Sequence, residues 1–367
     1  MTARETPSPD SYALVSGEAK PIPAPNLDYK PPIPRDKSIP IGLIGAGGIS
    51  FAHLDAYKKH GFNVVAICDR HLDRAKMRRD ASYPDALATD RIEDVIGNAG
   101  IQVVDITVHA KDRVELMRSA LEAGQHVLSQ KPFVRDLAVG RELVDLAARN
   151  RLQLAVNQNG RWAPHLSYMR EAVAAGLVGT VTGVHVAIHW NHSWIAGTPF
   201  AEMDHVILDD FAIHWFDFLV SIIGDQAARV FATAGRAADQ TMHAPLLSQA
   251  LVTYPGGHAS LVFDANASHG AADTTTIVGT RGTLRSTGPD LGRQNVSLTT
   301  AEGIARPALD GTWFNDGFAG TMGALLVAIE TGKEPINAAR GNLAALRLSQ
   351  AAIESAETGL PVRLGGA

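Results

Sequence analysis

Ile41-Gly-Leu-Ile-Gly45-Ala-Gly47-Gly48-Ile49-Ser50 is an apolar run that passes into a glycine-rich turn and then into a helix-compatible stretch, Phe51 to His60. Gly45 permits a tight turn off a strand, Gly47 lets the backbone approach a pyrophosphate, and Gly48, Ile49 and Ser50 open the helix whose free N–H groups receive the anion. The third small position is Ser50 rather than glycine. Asn63 to Cys68 reads as a second short strand, and it ends at Asp69, nineteen residues after Ser50. A carboxylate there can accept hydrogen bonds from both ribose hydroxyls of an adenosine. Together these features predict a dinucleotide site.

Working outward, strands and helices alternate from Ser38 to about Asn157. His71–Arg79, Ile92–Ile96, Lys111–Ala123 and Leu137–Arg149 have helical character, while Gln102–Ile106, His126–Leu128 and Leu152–Val156 are apolar strands. This alternation predicts an α/β unit, a doubly wound parallel Rossmann sheet with ligands at the C-terminal ends of its strands. Beyond a helix at Pro164–Ala175 the pattern changes to strands at Val181–Trp190, Arg229–Gly235, Ser248–Tyr254, His258–Asp264, Thr274–Gly279, Gly282–Ser286 and Val296–Thr300. Pro255-Gly-Gly257 joins two of them as a hairpin turn, and helices near Gly317–Thr331 and Ala339–Thr358 close the chain. The second unit is therefore α+β with a mostly antiparallel open sheet. The expected division is a proline-rich arm at 1–38, a dinucleotide-binding domain at 39–158, and a substrate-binding and oligomerisation domain at 159–367.

The arm holds eight of the nineteen prolines and cannot form a core of its own. Tyr12, Leu14, Val15, Ile22, Leu27, Tyr29 and Ile33 give it side chains with which to dock, and a neighbouring subunit is one candidate surface. A hydrophobic content of 46% with 19% charged residues fits an ordinary globular protein. A net charge of −5 without a polybasic block argues against nucleic acid and membrane surfaces as partners. The single cysteine, Cys68, lies in an apolar strand and reads as a packed residue. Without an apolar run of membrane-spanning length or a secretory pattern, a cytoplasmic enzyme is the expectation.

Asp210, His214 and Asp217 fall four and three residues apart, so a regular helix would project all three from nearly one face. A carboxylate one turn from an imidazole can hold its tautomer and raise its basicity, which suits proton abstraction from an alcohol. Lys131, in Ser129-Gln130-Lys131-Pro132, follows a strand at the ligand-binding edge, where an ammonium can polarise a hydroxyl or carbonyl oxygen. His189-Trp-Asn-His192-Ser-Trp194 offers donors, acceptors and a flat apolar surface suited to a sugar face. A metal is not expected, because no carboxylate or cysteine cluster adjoins these histidines.

The Gly45–Ser50 turn, the Ala123–Pro132 run and the Asp210-x-x-x-His214-x-x-Asp217 segment together resemble the signatures of the glucose-fructose oxidoreductase, inositol dehydrogenase and rhizopine-catabolism family, in the right order from residue 39 to about 360. The resemblance implies a nicotinamide cofactor, with Lys131, Asp210 and His214 as catalytic residues. It places Thr107, His109 and Gln130 along the nicotinamide. It also makes Asn157, Arg161, Trp162, His192 and Trp194 pocket wall, with Trp313, Asn315 and Asp316 as further candidates. There are departures: Gln130 stands for the usual glutamate, Val108 for a proline, Asp112 for a histidine and Ala212 for a glycine. Asp69 favours NAD by repelling a 2′-phosphate, and NADP is the alternative if Arg70 and Arg74 turn toward that group.

The expected activity is hydride transfer between nicotinamide and a secondary alcohol of a sugar, cyclitol or sugar derivative. The rival readings are an internal redox cycle on tightly held NAD (epimerisation, elimination or glycoside cleavage) and a non-catalytic sugar or dinucleotide sensor. Helices on only one face of the second sheet point to a homo-dimer or homo-tetramer.

Overall fold

The structure is a computed structural model that describes residues 19–365, so Tyr12, Leu14 and Val15 of the arm lie outside the described residues. The first unit runs β1 (Ile41–Ile44), α1 (Ser50–His60), β2 (Val64–Cys68), α2 (Leu72–Ser82), β3 (Leu87–Thr89), β4 (Val103–Ile106), α3 (Ala110–Glu122), β5 (His126–Ser129), α4 (Leu137–Arg149) and β6 (Leu154–Val156). All pairings are parallel, in the order β3-β2-β1-β4-β5-β6. Strands β1 and β4 are buried along their whole length, which explains their near-continuous apolar sequence. The order reverses between β1 and β4, so the crevice above these two strands is where a ligand fits. At the mouth of that crevice Gly45 has φ +104°, and a Cβ there would meet Val108 Cγ1 at 2.8 Å.

The chain then passes through α5 (Pro164–Ala174), β7 (Val181–His189), α6 (Ile213–Ile223), β8 (Arg229–Gly235), β9 (Leu247–Tyr254), β10 (Gly257–Asp264), β11 (Ala272–Gly279), β12 (Gly282–Asp290), β13 (Arg293–Thr300) and β14 (Gly303–Ala305). Two long helices, α7 (Asp316–Thr331) and α8 (Ala339–Thr358), and the short β15 (Val362–Arg363) follow. The second sheet has nine strands, β14-β13-β12-β11-β7-β10-β9-β8-β15, antiparallel except for the β7–β10 pair. On β9 and β10 alternate residues turn into the core, as a sheet with one covered face requires. Strands β3, β14 and β15 are absent from the sequence reading, because two or three residues carry no periodic signal. The expected helix at Ile92–Ile96 is a short 3-10 turn, Ile92–Asp94.

Two features tie the units together. Helix α7 turns back onto α1, and its Phe318, Ala319, Met322, Leu325 and Leu326 complete the core beneath the first sheet. Helix α8 bridges similarly, sending Ala339 and Leu346 to the first core and Leu348, Ala351 and Ala352 to the second. A division at residue 158 thus leaves part of the first core in the C-terminal half.

The arm's described part lies along its own chain, which leaves Ile22, Leu27 and Tyr29 half-buried. Pro21 bridges Ile304 beside β14, Pro25 O accepts from Tyr168 Oη at 3.0 Å, and Ile22, Leu27 and Tyr29 pack on the second core. Asp36 N then donates to Glu330 on α7 just before β1 begins.

Candidate active site

The glycine turn has the form that an anion needs. A Cβ at Gly47 or Gly48 would meet nothing within 4 Å, so the space above the turn is open. The N-terminus of α1 has no side-chain cap and no acidic residue in its first turn. Thr107 braces the turn by donating to Gly45 O at 2.5 Å, and Ser50 Oγ donates to Gly47 O at 2.7 Å. Asp69 follows β2 and accepts from Ala46 N and His71 N, both at 2.8 Å, which fixes its carboxylate beside the glycine turn. Arg70 and Arg74 are exposed beyond it. Arg78, which the sequence reading passed over, reaches Gly47 O at 2.9 Å and places a guanidinium beside the phosphate cradle. Cys68 is buried in β2, and burial and Asp69 push its thiol up to about 11, so it offers no ready thiolate.

At the far end of the crevice Lys131 lies two residues beyond β5 and is joined to Pro132 by a cis peptide. Its ammonium donates to Asp210 Oδ1 at 2.9 Å and to Asp210 O at 2.8 Å. Asp210 lies in a π-type turn, Ile207–Phe211, in which Ala212 N reaches back to Ile207 O. The extra residue in this turn rotates Asp210 relative to α6 by about 100°. The expectation of Asp210, His214 and Asp217 on one face is thereby corrected: Asp210 turns to Lys131, and Asp217 is spent elsewhere.

His214 stands in the first turn of α6, edge-on to Trp313 with ring centroids 5.5 Å apart. Burial, aided by the Lys131 charge, holds its imidazole well below its ordinary range, so the ring is neutral at physiological pH. Its Nδ1 has no partner among the described residues. His192 is 4% exposed between Trp194 and Phe211, with centroids 4.9 and 4.7 Å away. Burial brings it down to about 4, with Asp210 opposing and Lys131 reinforcing that shift. Trp194 is 62% exposed at the rim, and Phe200 sits between it and His109 of the first unit. Lys131, Asp210, His214 and His192 therefore converge where the two units meet.

Three expected pocket residues face inward instead. Arg161 binds Asp217 through two parallel contacts of 2.7 and 2.9 Å and also reaches Ile336 O. Trp162 is 2% exposed under α7, where a Cβ on Gly320 would fall 2.3 Å from its ring. Asn157 is fully buried behind Gln130. Of the lower candidates, Trp313 is core, and Asn315 and Asp316 bond to Asp55 and to Thr312 N. His53, Asp105 and Arg113, all near the site and buried, escaped the sequence reading, since no local motif marks a residue whose partner is distant. Among the described residues no group of three or more His, Cys, Asp or Glu could hold a metal. Among the described residues no helix is long and apolar enough to cross a membrane.

A Rossmann unit with an open phosphate cradle, whose β5 end sets a lysine beside a buried histidine on α6 of the second unit, has the arrangement of a dinucleotide-binding oxidoreductase. Residues 39–158 match "Oxidoreductase family, NAD-binding Rossmann fold" and residues 166–285 match "GFO/IDH/MocA C-terminal domain". The chain belongs to the GFO/IDH/MocA family. It is 28% identical to D-apiose dehydrogenase of Paraburkholderia graminis over 88% of each chain. It is 25% identical to inositol 2-dehydrogenase of Rhizobium meliloti over 87% of this chain and 97% of that one. A solved oxidoreductase from Agrobacterium radiobacter, in complex with NAD+, L-tartaric acid and magnesium, superposes with a TM-score of 0.80 at 21% identity, over 89% of this chain and 98% of that one.

Proposed function

We propose that this enzyme moves a hydride between nicotinamide and a secondary alcohol carbon of a sugar, cyclitol or sugar derivative. The observation that carries this reading is the Lys131–Asp210 pair beside a neutral His214 at the end of the crevice. Bound NAD supplies the hydride acceptor. Gly45, Gly47, Gly48, Ile49, Ser50 and Asp69 hold its phosphates and adenosine ribose, and Thr107, His109 and Gln130 border the nicotinamide half.

In the oxidative direction His214, being neutral, accepts the hydroxyl proton. The Lys131 ammonium faces the same oxygen and stabilises the negative charge that develops there. Asp210 holds the ammonium in place, and its remaining lone pairs are free for a neighbouring substrate hydroxyl. His192 and Trp194 supply a polar edge and an apolar face for a polyol ring. The relatives named as apiose and inositol dehydrogenases support a polyhydroxylated substrate.

The test is nicotinamide reduction by purified enzyme against monosaccharides, inositols and glycosides, repeated with Lys131→Met and His214→Ala. Both variants should lose turnover by orders of magnitude while still binding NAD. Near-normal turnover in both would overturn the assignment. For assembly we infer a homo-dimer or homo-tetramer, because the outward face of the second sheet carries Leu251 at 55% exposure beside Phe231 and Val262. A solution mass equal to one chain would exclude it.

A further inference from the structure

Behind Gln130 lies a buried polar chain that the hydride-transfer reading does not use. Asp105, on β4 and wholly buried, accepts at Oδ2 from His53 Nδ1 and from Tyr57 Oη, both at 2.8 Å. A carboxylate has nothing to donate, so in the neutral imidazole the hydrogen lies on His53 Nδ1 and Nε2 is left as an acceptor. Asn157 Nδ2 lies 3.2 Å from that Nε2 and supplies one amide hydrogen to it. Its other amide hydrogen goes to Gln130 Oε1. Asn157 Oδ1 faces the Thr321 hydroxyl at 2.7 Å, which Phe318 O shares.

Each contact thus passes on a direction that begins at Asp105. Gln130 ends with its oxygen turned inward to Asn157, which leaves its Nε2 as the end of the side chain that can donate elsewhere. Gln130 sits at the C-terminal end of β5 with its N–H on Ile106 O at 3.1 Å, and only β4 separates β5 from β1 and its glycine turn. Asp69 fixes the adenosine half over β2, so the nicotinamide half of a dinucleotide spanning the crevice lies over β4 and β5.

We infer that the buried chain Asp105–His53–Asn157 is a polarity lock that makes Gln130 a hydrogen-bond donor toward the carbonyl oxygen of the nicotinamide carboxamide, with His53 a positioning residue. The inference depends on where NAD binds and not on which alcohol is oxidised, so a binding measurement tests it separately from the proposed reaction. The effect on a ligand is specific: an acceptor opposite Gln130 is favoured, and a donor there faces an N–H head-on.

The experiment measures dissociation constants, by quenching of protein fluorescence, for two dinucleotides that differ only at the carboxamide. One is nicotinic acid adenine dinucleotide, which offers acceptors alone. The other is 3-aminopyridine adenine dinucleotide, which offers a donor. The change in their affinity ratio on substitution is the reading, because it cancels losses common to both ligands. In the unaltered enzyme the acid analogue should bind at least about tenfold more tightly, a difference of about 1.4 kcal/mol.

Gln130→Glu turns an acceptor to the cleft and should reverse that preference. His53→Phe keeps a ring in the buried space but frees Asn157 to turn over, so the ratio should collapse toward one. Should His53→Phe fail to fold, Gln130→Glu still decides the matter, since its side chain borders the cleft. A native preference for the amine, a ratio untouched by His53→Phe, or no reversal in Gln130→Glu would each overturn the proposal.

Discussion

Asp210 and Asp217 lie seven residues apart in one helical segment, and each meets a cation from before the second sheet, yet the two ion pairs have opposite surroundings. Lys131 and Asp210 keep 15% and 19% of their side chains exposed at the end of the crevice. Arg161 and Asp217 keep 9% and 2%, and Asn342 Nδ2 adds a third contact to Asp217 at 3.3 Å. A flexible ammonium with a single carboxylate oxygen can rearrange when a substrate hydroxyl arrives. A forked guanidinium held by both oxygens cannot do so without leaving charge buried and unpaired. The difference separates the pair proposed for chemistry from one that fastens the crossover to α6.

The strongest way to break this contrast is at Lys131. Lys131→Met should lower kcat about a thousandfold, equivalent to about 4 kcal/mol of transition-state stabilisation, while the melting temperature stays close to that of the unaltered enzyme. Turnover and thermal melting on one preparation check it, and a large loss of melting temperature would make the pair structural. The histidine adds a pH signature. Because burial holds His214 well below its usual range, the acid limb of kcat/KM attributable to it should lie well below the ordinary imidazole region. A limb at the ordinary value would remove His214 as the base.

Asp217→Ala should do the converse. Removing one partner strands the Arg161 charge in the interior, and stability should fall by about 3 to 5 kcal/mol, with kcat per folded molecule preserved. Denaturant unfolding measures the loss. A fall in kcat without loss of stability would move Asp217 into the site, as its spacing from His214 first suggested.

That suggestion marks the limit of what could be read from the chain. The Gly45 turn, Asp69 at the end of β2 and the Pro255–Gly257 hairpin are legible because each is a local pattern whose backbone requirement selects its residues. The α6 carboxylates are not, since the π-type turn at Ile207–Phe211 has no sequence mark and turns Asp210 toward a lysine 79 residues away. The same holds for His53 and Asp105, 52 residues apart, and for α7, whose largely apolar sequence does not say which core it joins. Gln130 was visible as a position but not as a donor. Its orientation depends on Asn157, which the resemblance had assigned to the pocket wall.

A third carboxylate sharpens the comparison, because it is buried with no cation partner among the described residues. Asp273 on β11 is 1% exposed, and burial, with Asp290 adding to it, raises it from 3.8 to about 7. The folded chain therefore holds this proton up to about pH 7, while the unfolded chain releases it near 3.8. Between those limits folding takes up a proton, so this group's contribution to stability falls as pH rises through the window and levels off above it. Asp273→Asn should raise stability by about 2 to 4 kcal/mol at pH 8 and lose that advantage below about pH 4. Urea unfolding at the two pH values checks it, and a pH-independent change would show that the proton is not involved.

The smallest expected effect concerns the neighbour that helps to raise Asp273. Asp290 is held by Arg293 at 2.6 Å, and that partner keeps it ionised below the usual carboxylate range. Its negative charge opposes ionisation of Asp273, so Asp290→Asn should move the Asp273 midpoint to lower pH while leaving the desolvation of the buried carboxyl in place. The window over which stability declines should narrow from its upper end only, because its lower end belongs to the unfolded chain. Carboxyl chemical shifts followed through a pH titration would resolve the midpoint directly. An unmoved midpoint would assign the shift of Asp273 to burial alone, and would leave Lys131 and Arg161 as the charges that decide the fate of a carboxylate in this second unit.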